Sequence, residues 1–533
     1  MSNPMTTIYV CGDVGFNNSY QHTIYFDSIM EQDAYFEGKV KKTFLNYTYQ
    51  RRKWSLKVNA SMNEAQYWSY LFYNNGYEGR RYYFITNIEY INDNTVELFL
   101  ELDVLQTYHF TYDLDYCFVE REHTPSDEVG EYILDEGLNL GEITTVSSHE
   151  VEIEDLCILV MSTISPNSTE DHHIQASGTL YNRVMYTGVG VYAIDVDKYP
   201  ALNLMLNNFD SWGISDAIMS IWMYPKKLVK VHNDWADDNF FHTVTGVQTF
   251  QHEVSGGAVS SITPTNRKLL SYPFSFLYVH NNSGVSGVYH YEKFGKPNTV
   301  DQFNEGSMFF NIAGAISPEA SIMLYPTRYN GQTINYEHGI SLGNYPSCAW
   351  NQDVYKLWLA QNQNQQNLAV GSGLLSIAGG AIATIATGGV GAIAGAGGII
   401  SGASAIANVI AATMDKSIQP PQSKGGHNAS VNVMADRQTF TIQKMSVDKE
   451  HARIIDDYFT MYGYKIARMK QPFRANRESY TYIKTIGCHV TGGDLPNEDM
   501  TKIESIFNNG ITFWKNGKTI GNYAVSNKPI SEL

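Results

Sequence analysis

The sequence predicts a mainly β protein with short helices (β and α+β), divided among several domains and interrupted by one long apolar stretch rich in Gly and Ala. Charged residues make up 17% of the chain, below the usual quarter, whereas Phe, Trp and Tyr together reach 13%. Aromatic side chains favour twisted strands, and the many Asn, Ser and Thr residues suit polar loops. A chain of 533 residues is long enough for two to four domains.

The first 150 residues carry the clearest strand patterns. Apolar and polar residues alternate in two short runs between Phe44 and Ala60, and again from Arg81 to Leu105. The second stretch indicates a hairpin that turns at Asn92-Asp93-Asn94. A local helical pattern covers Ala60 to Asn75. Residues 1–150 are therefore predicted to form one β domain with little helix.

The middle of the chain, residues 151–350, contains short irregular strand patterns separated by Gly, Ser and Asn turns, such as the stretch from Asn281 onward. No repeat recurs at a fixed period. We predict one or two additional β-rich domains here.

Residues 429–533 return to stronger periodicity. A helix is predicted between Val447 and Ile466, with Gly463 as its C-terminal stop. Its apolar residues at helical spacing are Ile454, Ile455, Tyr458 and Met461. Three closing stretches, which begin at Asn476, Leu495 and Gly521, predict a strand, a short helix and a strand.

One stretch, the apolar segment, contains no charged residue from Leu357 to Met414. Gly388-Gly389 provides a turn between two arms, Leu368 to Thr387 and Val390 to Ala412, each about long enough to cross a bilayer. The predicted loop and its linkers cover residues 351–428. The candidate membrane-inserting or lumen-plugging residues are Leu374, Leu375, Ile377, Ile382, Ile385, Gly388, Gly389, Val390, Ile393, Ile399, Ile400, Ile406, Val409 and Ile410.

The flanks of the apolar segment differ from those of a resident membrane anchor. Its centre is preceded by the amide-rich stretch Ala360 to Asn367 and followed by Asp415-Lys416, without basic flanks or an aromatic belt. Gly and Ala supply little transfer free energy, so insertion is marginal for one copy and needs several packed together. We therefore expect a segment that is shielded first and meets a membrane later. Composition alone also allows a buried helical hairpin or a flexible tether.

Charge and cysteine usage limit the partners and the compartment. The formal net charge of -17 disfavours wrapping of DNA by basic side chains, whereas an acidic wall lets a duplex slide without sticking. Five scattered cysteines without a CxxC pair predict reduced, mostly buried thiols. The first residues lack the basic and apolar regions of a signal peptide. We expect assembly in a cytoplasm and release by lysis.

Other polar groupings give weak chemical signals. Glu170-Asp171-His172-His173 contains metal-ligand types, but adjacent histidines point different ways and no second ligand pair completes a site. A GxGxxA match at Gly389 lies outside any βαβ unit. The dense carboxylates between Glu89 and Asp155 fit a solvated or lumen-facing surface better than a glycosidase pair. We therefore predict no catalytic residue, no metal and no cofactor.

A basic tract near the C-terminus is opposed only by Glu478. It would contact phosphate or a neighbouring subunit, or form a solvated face, and the solvated face is favoured. Its members are Lys465, Arg468, Lys470, Arg474, Arg477 and Lys484.

Six ordered motifs carry a resemblance to a known family. They are LELDVLQTY (Leu100 to Tyr108), VEREHT (Val119 to Thr124), LDEGLNLG (Leu134 to Gly141), YGYKIARMKQP (Tyr462 to Pro472), IFNNGITFW (Ile506 to Trp514) and IGNYAVSN (Ile520 to Asn527). With the apolar segment between them, they resemble the distal tail knob (tail tube tip) proteins of small short-tailed phages of the Picovirinae type. Residues 151–345 match nothing in that pattern.

The resemblance implies a structural virion protein, not an enzyme, that forms a homohexameric β tube at the distal end of the tail. Residues 1–150 and 429–533 would form the tube wall together, and the apolar segment would project from the body they share. Each subunit's loop would plug the lumen and later insert into the host cytoplasmic membrane to help form a genome-delivery channel. The implied partners are other phage tail and collar proteins, that membrane, and genomic double-stranded DNA that passes without specific binding.

Two other classes stay open at the level of sequence. A pore-forming toxin would share a shielded apolar segment, although such proteins are normally secreted. A tail-associated host-binding or cell-wall-degrading protein would place its function in residues 151–345, on an aromatic sugar platform or a pair of close carboxylates.

Overall fold

The computed structural model describes residues 6–47, 55–75, 79–151, most of 153–349, and 439–530 apart from position 494. The chain divides into two compact units. The first, which we call the terminal unit, comprises Met1–Gly141, Ser261–Leu269 and Asp448–Leu533. The second, the middle unit, comprises Glu142–Ser260 and Leu270–Val447.

Strands dominate both units, which confirms the mainly β prediction. The N-terminal elements are β1 (Thr6–Cys11), β2 (His22–Ile24), α1 (Ile29–Glu37), β3 (Val40–Tyr47), β4 (Ser55–Val58), α2 (Met62–Ala65), β5 (Tyr70–Asn75), β6 (Gly79–Asn92), β7 (Thr95–Leu102), α3 (Val104–Thr107), β8 (Asp113–Leu114) and β9 (Cys117–Glu122).

The middle elements are β10 (Ile143–Glu150), β11 (Leu156–Ser162), β12 (Leu180–Tyr181), β13 (Val184–Met185), β14 (Gly190–Asp195), α4 (Pro200–Ser211), β15 (Ile218–Pro225), β16 (Val229–Val231), β17 (His242–Val247), β18 (Phe250–Ser255), β19 (Ser275–His280), β20 (Ser286–Tyr289), β21 (Ser307–Ala313), β22 (Met323–Pro326), β23 (Ile340–Ser341) and β24 (Ser347–Ala349).

The C-terminal elements are β25 (Thr441–Val447), α5 (Lys449–Tyr462), β26 (Tyr464–Lys470), β27 (Tyr480–Ile486), β28 (Val490–Thr491), α6 (Asn497–Asn509) and β29 (Ile511–Trp514).

The terminal unit contains two main sheets. The first has the strand order β3-β1-β5-β6-β7-β4, and the second has the order β2-β29-β27-β9-β26. The second sheet joins the two ends of the chain, because β9 lies between β26 and β27, and β2 pairs in parallel with β29. Helix α6 packs its buried residues Ile503, Ile506 and Phe507 into the core of this unit.

The predicted hairpin of the first sheet is confirmed. Strands β6 and β7 pair antiparallel, with Asn92 opposite Thr95 across a tight turn. The runs between Phe44 and Ala60 also form strands, β3 and β4.

The helix predicted from Ala60 to Asn75 is wrong beyond its first turn. Helix α2 ends at Ala65, and Tyr70–Asn75 is strand β5, paired with β1 on one side and β6 on the other. Tyr70, Leu71 and Phe72 are fully buried there. Aromatic side chains on a central strand are stabilised by packing on both faces, which outweighs the local helical pattern.

Helix α5 follows the prediction and ends at Gly463. The predicted buried face is wrong in most of its residues, because only Ile455 of the four is buried, Ile454 is exposed, and Tyr458 and Met461 are partly exposed. Ala452 and Phe459 are buried in their place. In the closing region, β27, α6 and β29 provide strand, helix and strand. The stretch that begins at Gly521 forms turns, so the strand predicted there is wrong.

The middle unit contains three larger sheets, with the orders β16-β17-β14-β11-β15-β24, β10-β25-β19-β20 and β18-β21-β22-β23. Helix α4 packs Leu202, Met205 and Phe209 against one face of β11, β14 and β15. The other face of β11 and β15 joins the two remaining sheets in one large apolar core.

Four of the cysteines, Cys11, Cys117, Cys157 and Cys488, are buried free thiols. For them the predicted reduced state is confirmed.

Candidate functional site

The candidate site residues in the apolar segment, from Leu374 to Ile410, lie outside the described residues, and so does the cluster Glu170 to His173. Their placement stays a prediction. What the structure describes is how the chain leaves the folded body before the apolar segment and returns after it.

The chain leaves from strand β24, at the edge of a middle-unit sheet. Backbone pairing places Ser347 opposite Trp222 and Ala349 opposite Ser220, both on β15. Strand β15 is almost entirely buried, with Trp222, Met223 and Tyr224 in the core. The departure point is therefore fixed to a buried strand of this sheet.

The chain returns through Thr439 and Phe440 into β25, which lies between β10 and β19. The Thr439 hydroxyl donates to the carbonyl of Val151 at 2.7 Å, and the Val151 N–H donates to the carbonyl of Phe440 at 2.8 Å. Phe440 and Ile442 are fully buried. A central strand with a buried apolar face has a strongly specified register, so the return point is also fixed.

A buried lysine strengthens this return strand. Lys444 Nζ donates to Ser255 Oγ at 2.6 Å and to the carbonyl of Gly256 at 3.1 Å. Burial lowers the pKa of Lys444.

Both flanking strands belong to the middle unit, whereas the two ends of the chain meet in the terminal unit. The expectation that the apolar segment projects from the body shared by the two ends is therefore wrong. The physical reason is that β25 completes a middle-unit sheet, and only from Asp448 onward does the chain join the terminal unit.

Several carboxylates between Glu89 and Asp155 are structural, so the prediction of a solvated acidic surface is wrong for them. Asp103 is fully buried, accepts the N–H groups of Leu105 and Gln106, and accepts the hydroxyl of Tyr70 at 2.8 Å. Burial raises the pKa of Asp103 to about 6. Glu122 and Asp127 are also buried.

A buried charge cluster forms around Glu136. One oxygen of Glu136 pairs with Arg121 and the other with Lys268, and all three side chains are largely inaccessible. The backbone N–H of Lys465 also donates to Glu136 at 3.0 Å. Lys268 Nζ donates in addition to the carbonyl of Leu134 at 2.9 Å, and burial lowers the pKa of Lys268.

Lys268 belongs to a short segment, Ser261–Leu269, which we call the strap. Three consecutive backbone N–H groups of the strap donate to carboxylates of the terminal unit: Thr265 and Asn266 to Asp456 at 2.8 and 2.9 Å, and Arg267 to Asp127 at 3.1 Å. Asn266 Nδ2 also donates to Thr460 Oγ1 at 2.8 Å. No local sequence pattern indicates the strap, because its partners lie far away in the chain.

The basic tract is mostly engaged within the terminal unit. Lys470 pairs with Glu122 at 2.5 Å, and Lys484 pairs with Glu120 at 2.8 Å. Arg477 is buried, with Nε donating to the carbonyl of Thr124 at 2.7 Å, so the predicted solvated face is wrong for that residue. The two lysines are paired because β9, which lies between β26 and β27, carries Glu120 and Glu122.

Within the described residues, no group of three or more His, Cys, Asp or Glu side chains is placed to hold a metal ion. No helix among those residues is both long and apolar enough to cross a membrane. The described residues form a folded scaffold in which strands β24 and β25 fix the two ends of the apolar segment.

Comparison with known proteins gives a consistent result. The family described as Bacillus phage phi29, Tail knob protein gp9, C-terminal domain matches residues 241–528, and the family described as Caudoviral major tail protein N-terminus matches residues 4–113. Tail knob protein gp9 of Bacillus phage B103 is 24% identical, and that of Bacillus phage phi29 is 22% identical; each comparison covers 98% of both chains. The solved structure of the bacteriophage C1 tail knob protein, gp12, has a TM-score of 0.64 at 14% identity and covers 98% of this chain and 100% of that one.

Proposed function

The chain belongs to the phage tail knob family of phi29 gp9 and is a structural component of the distal end of the tail, and we propose that it forms a DNA-conducting homohexamer that penetrates the host membrane. Before infection, the apolar segments of the subunits plug the lumen. On contact with the host they leave the tube, insert into the cytoplasmic membrane and help form the channel through which the genome passes.

The observation that carries this proposal is the uncharged run from Leu357 to Met414 between two fixed strands. The middle-unit core is built from strands on both sides of the run, so the run is an excursion from a folded body. A charge-free run of this length matches the hydrocarbon thickness twice over. Several copies inside one tube would bury each other's apolar surface until release.

The charge balance supports passage of DNA through the tube. With a formal net charge of -17, the subunit has an excess of groups that repel phosphate. Several of its basic side chains are also neutralised by carboxylates within the terminal unit, as in the pairs of Lys470 and Lys484. A DNA duplex in the lumen would therefore encounter few unpaired basic side chains that could bind its phosphates.

The test is dye release from liposomes by the full-length protein and by a variant that lacks Leu374 to Ala411, at neutral and mildly acidic pH. We expect leakage from the full-length protein alone and rings from both proteins, with an open centre in the deletion variant by electron microscopy. Equal leakage from both proteins would contradict the membrane role of the segment. Loss of soluble expression in the deletion variant would indicate that the segment belongs to the structural core of the protein.

A second candidate, host-glycan binding, is favoured by an aromatic surface of the middle unit. Tyr272 is partly exposed and stacks on His290 with ring centroids 4.0 Å apart and an interplanar angle of 4°. Phe276 and Tyr278 lie on the same outer face of β19 and are half-buried. Sugar rings stack on such aromatic platforms. Tyr272→Ala should weaken retention on purified host cell wall, whereas Tyr67→Ala in the terminal unit should not.

The remaining alternatives lose their support. Membership of the tail knob family contradicts the pore-forming toxin hypothesis. The relatives are structural tail proteins, so a cell-wall-degrading role has no support either.

A further inference from the structure

The outer face of the second terminal-unit sheet carries an exposed apolar row, which we call the docking face. Register places Met469 of β26 and Ile486 of β27 on either side of Phe118 of β9. Met469 is 67% exposed and Ile486 is 56% exposed. Residues directly opposite each other on neighbouring strands share one face and interact. Contiguous exposed apolar side chains on a folded unit indicate a protein interaction site.

The surroundings of the docking face are basic in a chain that is otherwise acidic. The stretch from Lys465 to Lys484 contains six basic residues and one acidic residue, while the whole chain has a formal net charge of -17. Lys470 and Lys484 are neutralised by Glu122 and Glu120. Arg468 precedes Met469 on the edge strand β26, pairs in register with the buried Val119, and is exposed at this edge with its guanidinium 5.8 Å from the ring centroid of Tyr132. An acidic surface, such as one on a second copy of this acidic chain, would complement Arg468 at the edge of the docking face.

The β6–β7 hairpin tip offers the matching surface. Tyr90 is 58% exposed and Ile91 is 40% exposed, and Glu89 and Asp93 beside them are exposed carboxylates. Strand β6 continues to Asn92, whereas its partner β5 reaches only to Phe84, so in the described part of the chain the distal half of β6 pairs with β7 alone. The tip thus presents apolar side chains and negative charge together, free of the strand that covers the rest of β6.

We propose that the hairpin tip of one copy binds the docking face of the next copy, and that this contact closes the ring. The inference rests on the homohexamer of the proposed function and adds the contact that would build it. Tyr90 and Ile91 would bury apolar surface against Met469 and Ile486, with Glu89 and Asp93 near Arg468. Because two different surfaces meet, the contact is heterologous, and repeated heterologous contacts form a ring when the rotation closes.

The test uses two double variants of the full chain, each changed only at exposed positions. The hairpin variant carries Tyr90→Ser and Ile91→Ser, and the face variant carries Met469→Ser and Ile486→Ser. Light scattering after size exclusion should show that each variant needs a concentration at least about tenfold higher than the wild type to assemble. Circular dichroism should match the wild type in both.

Mixing the two variants gives the decisive result. In such a mixture the face variant supplies an intact hairpin tip and the hairpin variant supplies an intact docking face. A dimer of one chain of each kind should therefore form, and no larger assembly should follow. A mixture that stays monomeric would overturn the proposal, because it would mean that the two surfaces do not meet.

The matched control carries Ile29→Ser and Met30→Ser, which alter another exposed apolar pair near carboxylates. It should assemble like the wild type, and assembly lost in this control but kept in the hairpin variant would overturn the proposal. If the hairpin variant forms rings as readily as the wild type, the proposed docking contact is wrong, while the homohexamer of the proposed function stands. A wild-type chain that stays monomeric would overturn the hexamer and the docking contact together.

A cross-link provides a second measurement. Chains with Ile91→Cys and chains with Met469→Cys, mixed and oxidised, should give a disulfide-linked pair that neither gives alone. The native Cys11, Cys117, Cys157 and Cys488 are buried, and both chains carry Cys348→Ser in addition, so native thiols should not compete. Absence of the mixed product in assembled rings would overturn the proposal.

Discussion

Glu136 is the centre of a buried charge cluster in the terminal unit. It holds two cations, Arg121 and Lys268, in a site with almost no solvent, and the backbone of Lys465 as well. Removing one partner of a buried pair leaves an uncompensated charge, which costs far more than the pair itself contributes.

We expect Glu136→Gln to lower the free energy of unfolding by about 3–5 kcal/mol, since both cations would remain buried without their carboxylate. Denaturant titration measures this loss. Glu64→Gln is the matched control, because Glu64 pairs with Lys42 at the surface, where water screens the pair and its loss should cost much less. Equal losses in the two variants would contradict the role of burial.

His123 links stability to pH. Its Nδ1 accepts the N–H of Tyr482 at 2.7 Å, and its Nε2 lies 3.1 Å from the carbonyl of Thr460. Burial, together with the nearby Arg477, lowers the pKa of His123 from 6.5 to about 3. Between these values the unfolded chain binds the additional proton, so this contribution to stability is present above pH 6.5 and is lost as the pH falls toward 3.

The expected slope from His123 is a loss of about 1.4 kcal/mol of unfolding free energy per pH unit. His123→Gln keeps one donor and one acceptor but does not titrate, so denaturant titrations between pH 6 and 4 should show a flatter slope by that amount. Asn87→Gln, at an exposed position without a titrating group, should leave the slope unchanged. A variant slope equal to the wild type would show that His123 does not carry this linkage.

The junction between α5 and β26 depends on a glycine for two reasons. Gly463 has φ of +64°, and a Cβ there would lie 2.1 Å from the carbonyl oxygen of Glu122 on β9. Gly487, with φ of +65°, has open space around its Cβ position. Both glycines have a positive φ, but only at Gly463 would a Cβ collide with a neighbouring strand. Comparing the two positions therefore distinguishes the cost of backbone strain from the cost of the steric clash.

We expect Gly463→Ala to destabilise the chain by about 3 kcal/mol or more, and Gly487→Ala by about 1 kcal/mol. The larger loss arises because the helix end and β9 must move apart, and thermal unfolding of the two variants measures the difference. Similar losses would mean that the backbone at Gly463 relaxes without disturbing β9.

The elements that sequence predicted well are those with strong local signals. The β6–β7 hairpin follows from alternation and from the turn at Asn92, and α5 follows from its spacing and from Gly463. Strand β5 was missed because its helical pattern is local, whereas the two strands that bury it come from elsewhere in the chain.

The strap shows what local signals cannot provide. Asn266 and Asp456, which share several hydrogen bonds, are 190 positions apart. Nothing within Ser261–Leu269 indicates which carboxylates this segment will contact, because Thr, Asn, Arg and Lys occur in many ordinary loops. Only the assembled terminal unit brings Asp127, Glu136 and Asp456 to one place.

At the scale of the whole molecule, the candidate site is a prediction from the sequence, made possible because the absence of charge over a long run is a signal that needs no knowledge of the fold. The place where the apolar segment is attached was predicted wrongly, since the motifs on either side indicated one shared body while the flanking strands complete middle-unit sheets. Which unit a strand joins depends on pairing partners that local sequence does not reveal.

Charges placed in the two arms provide the test of membrane insertion. Ile382→Asp with Ile399→Asp should raise the cost of insertion by about 2.5–3.5 kcal/mol per residue and so reduce dye release, while both units stay folded. The control, Asn87→Asp with Ser286→Asp at exposed positions, adds the same charge and should leave release unchanged. Collapse of soluble expression in the first variant would mean that the segment is a structural core.

The pairing of β9 with β26 and β27 also sets the order in which a subunit is completed on the ribosome. Arg121 hydrogen-bonds to Gly463, 342 positions later in the chain. At about 5–20 residues per second, synthesis of the intervening chain takes about 20–70 s. During that interval β9 lacks both of its neighbouring strands and β2 lacks β29, whereas the first sheet can already form from N-terminal strands alone. The apolar segment is also synthesised before β25, the strand that follows it. Each new subunit therefore passes through a stage with unpaired strand edges and exposed apolar surface, and such stages favour aggregation.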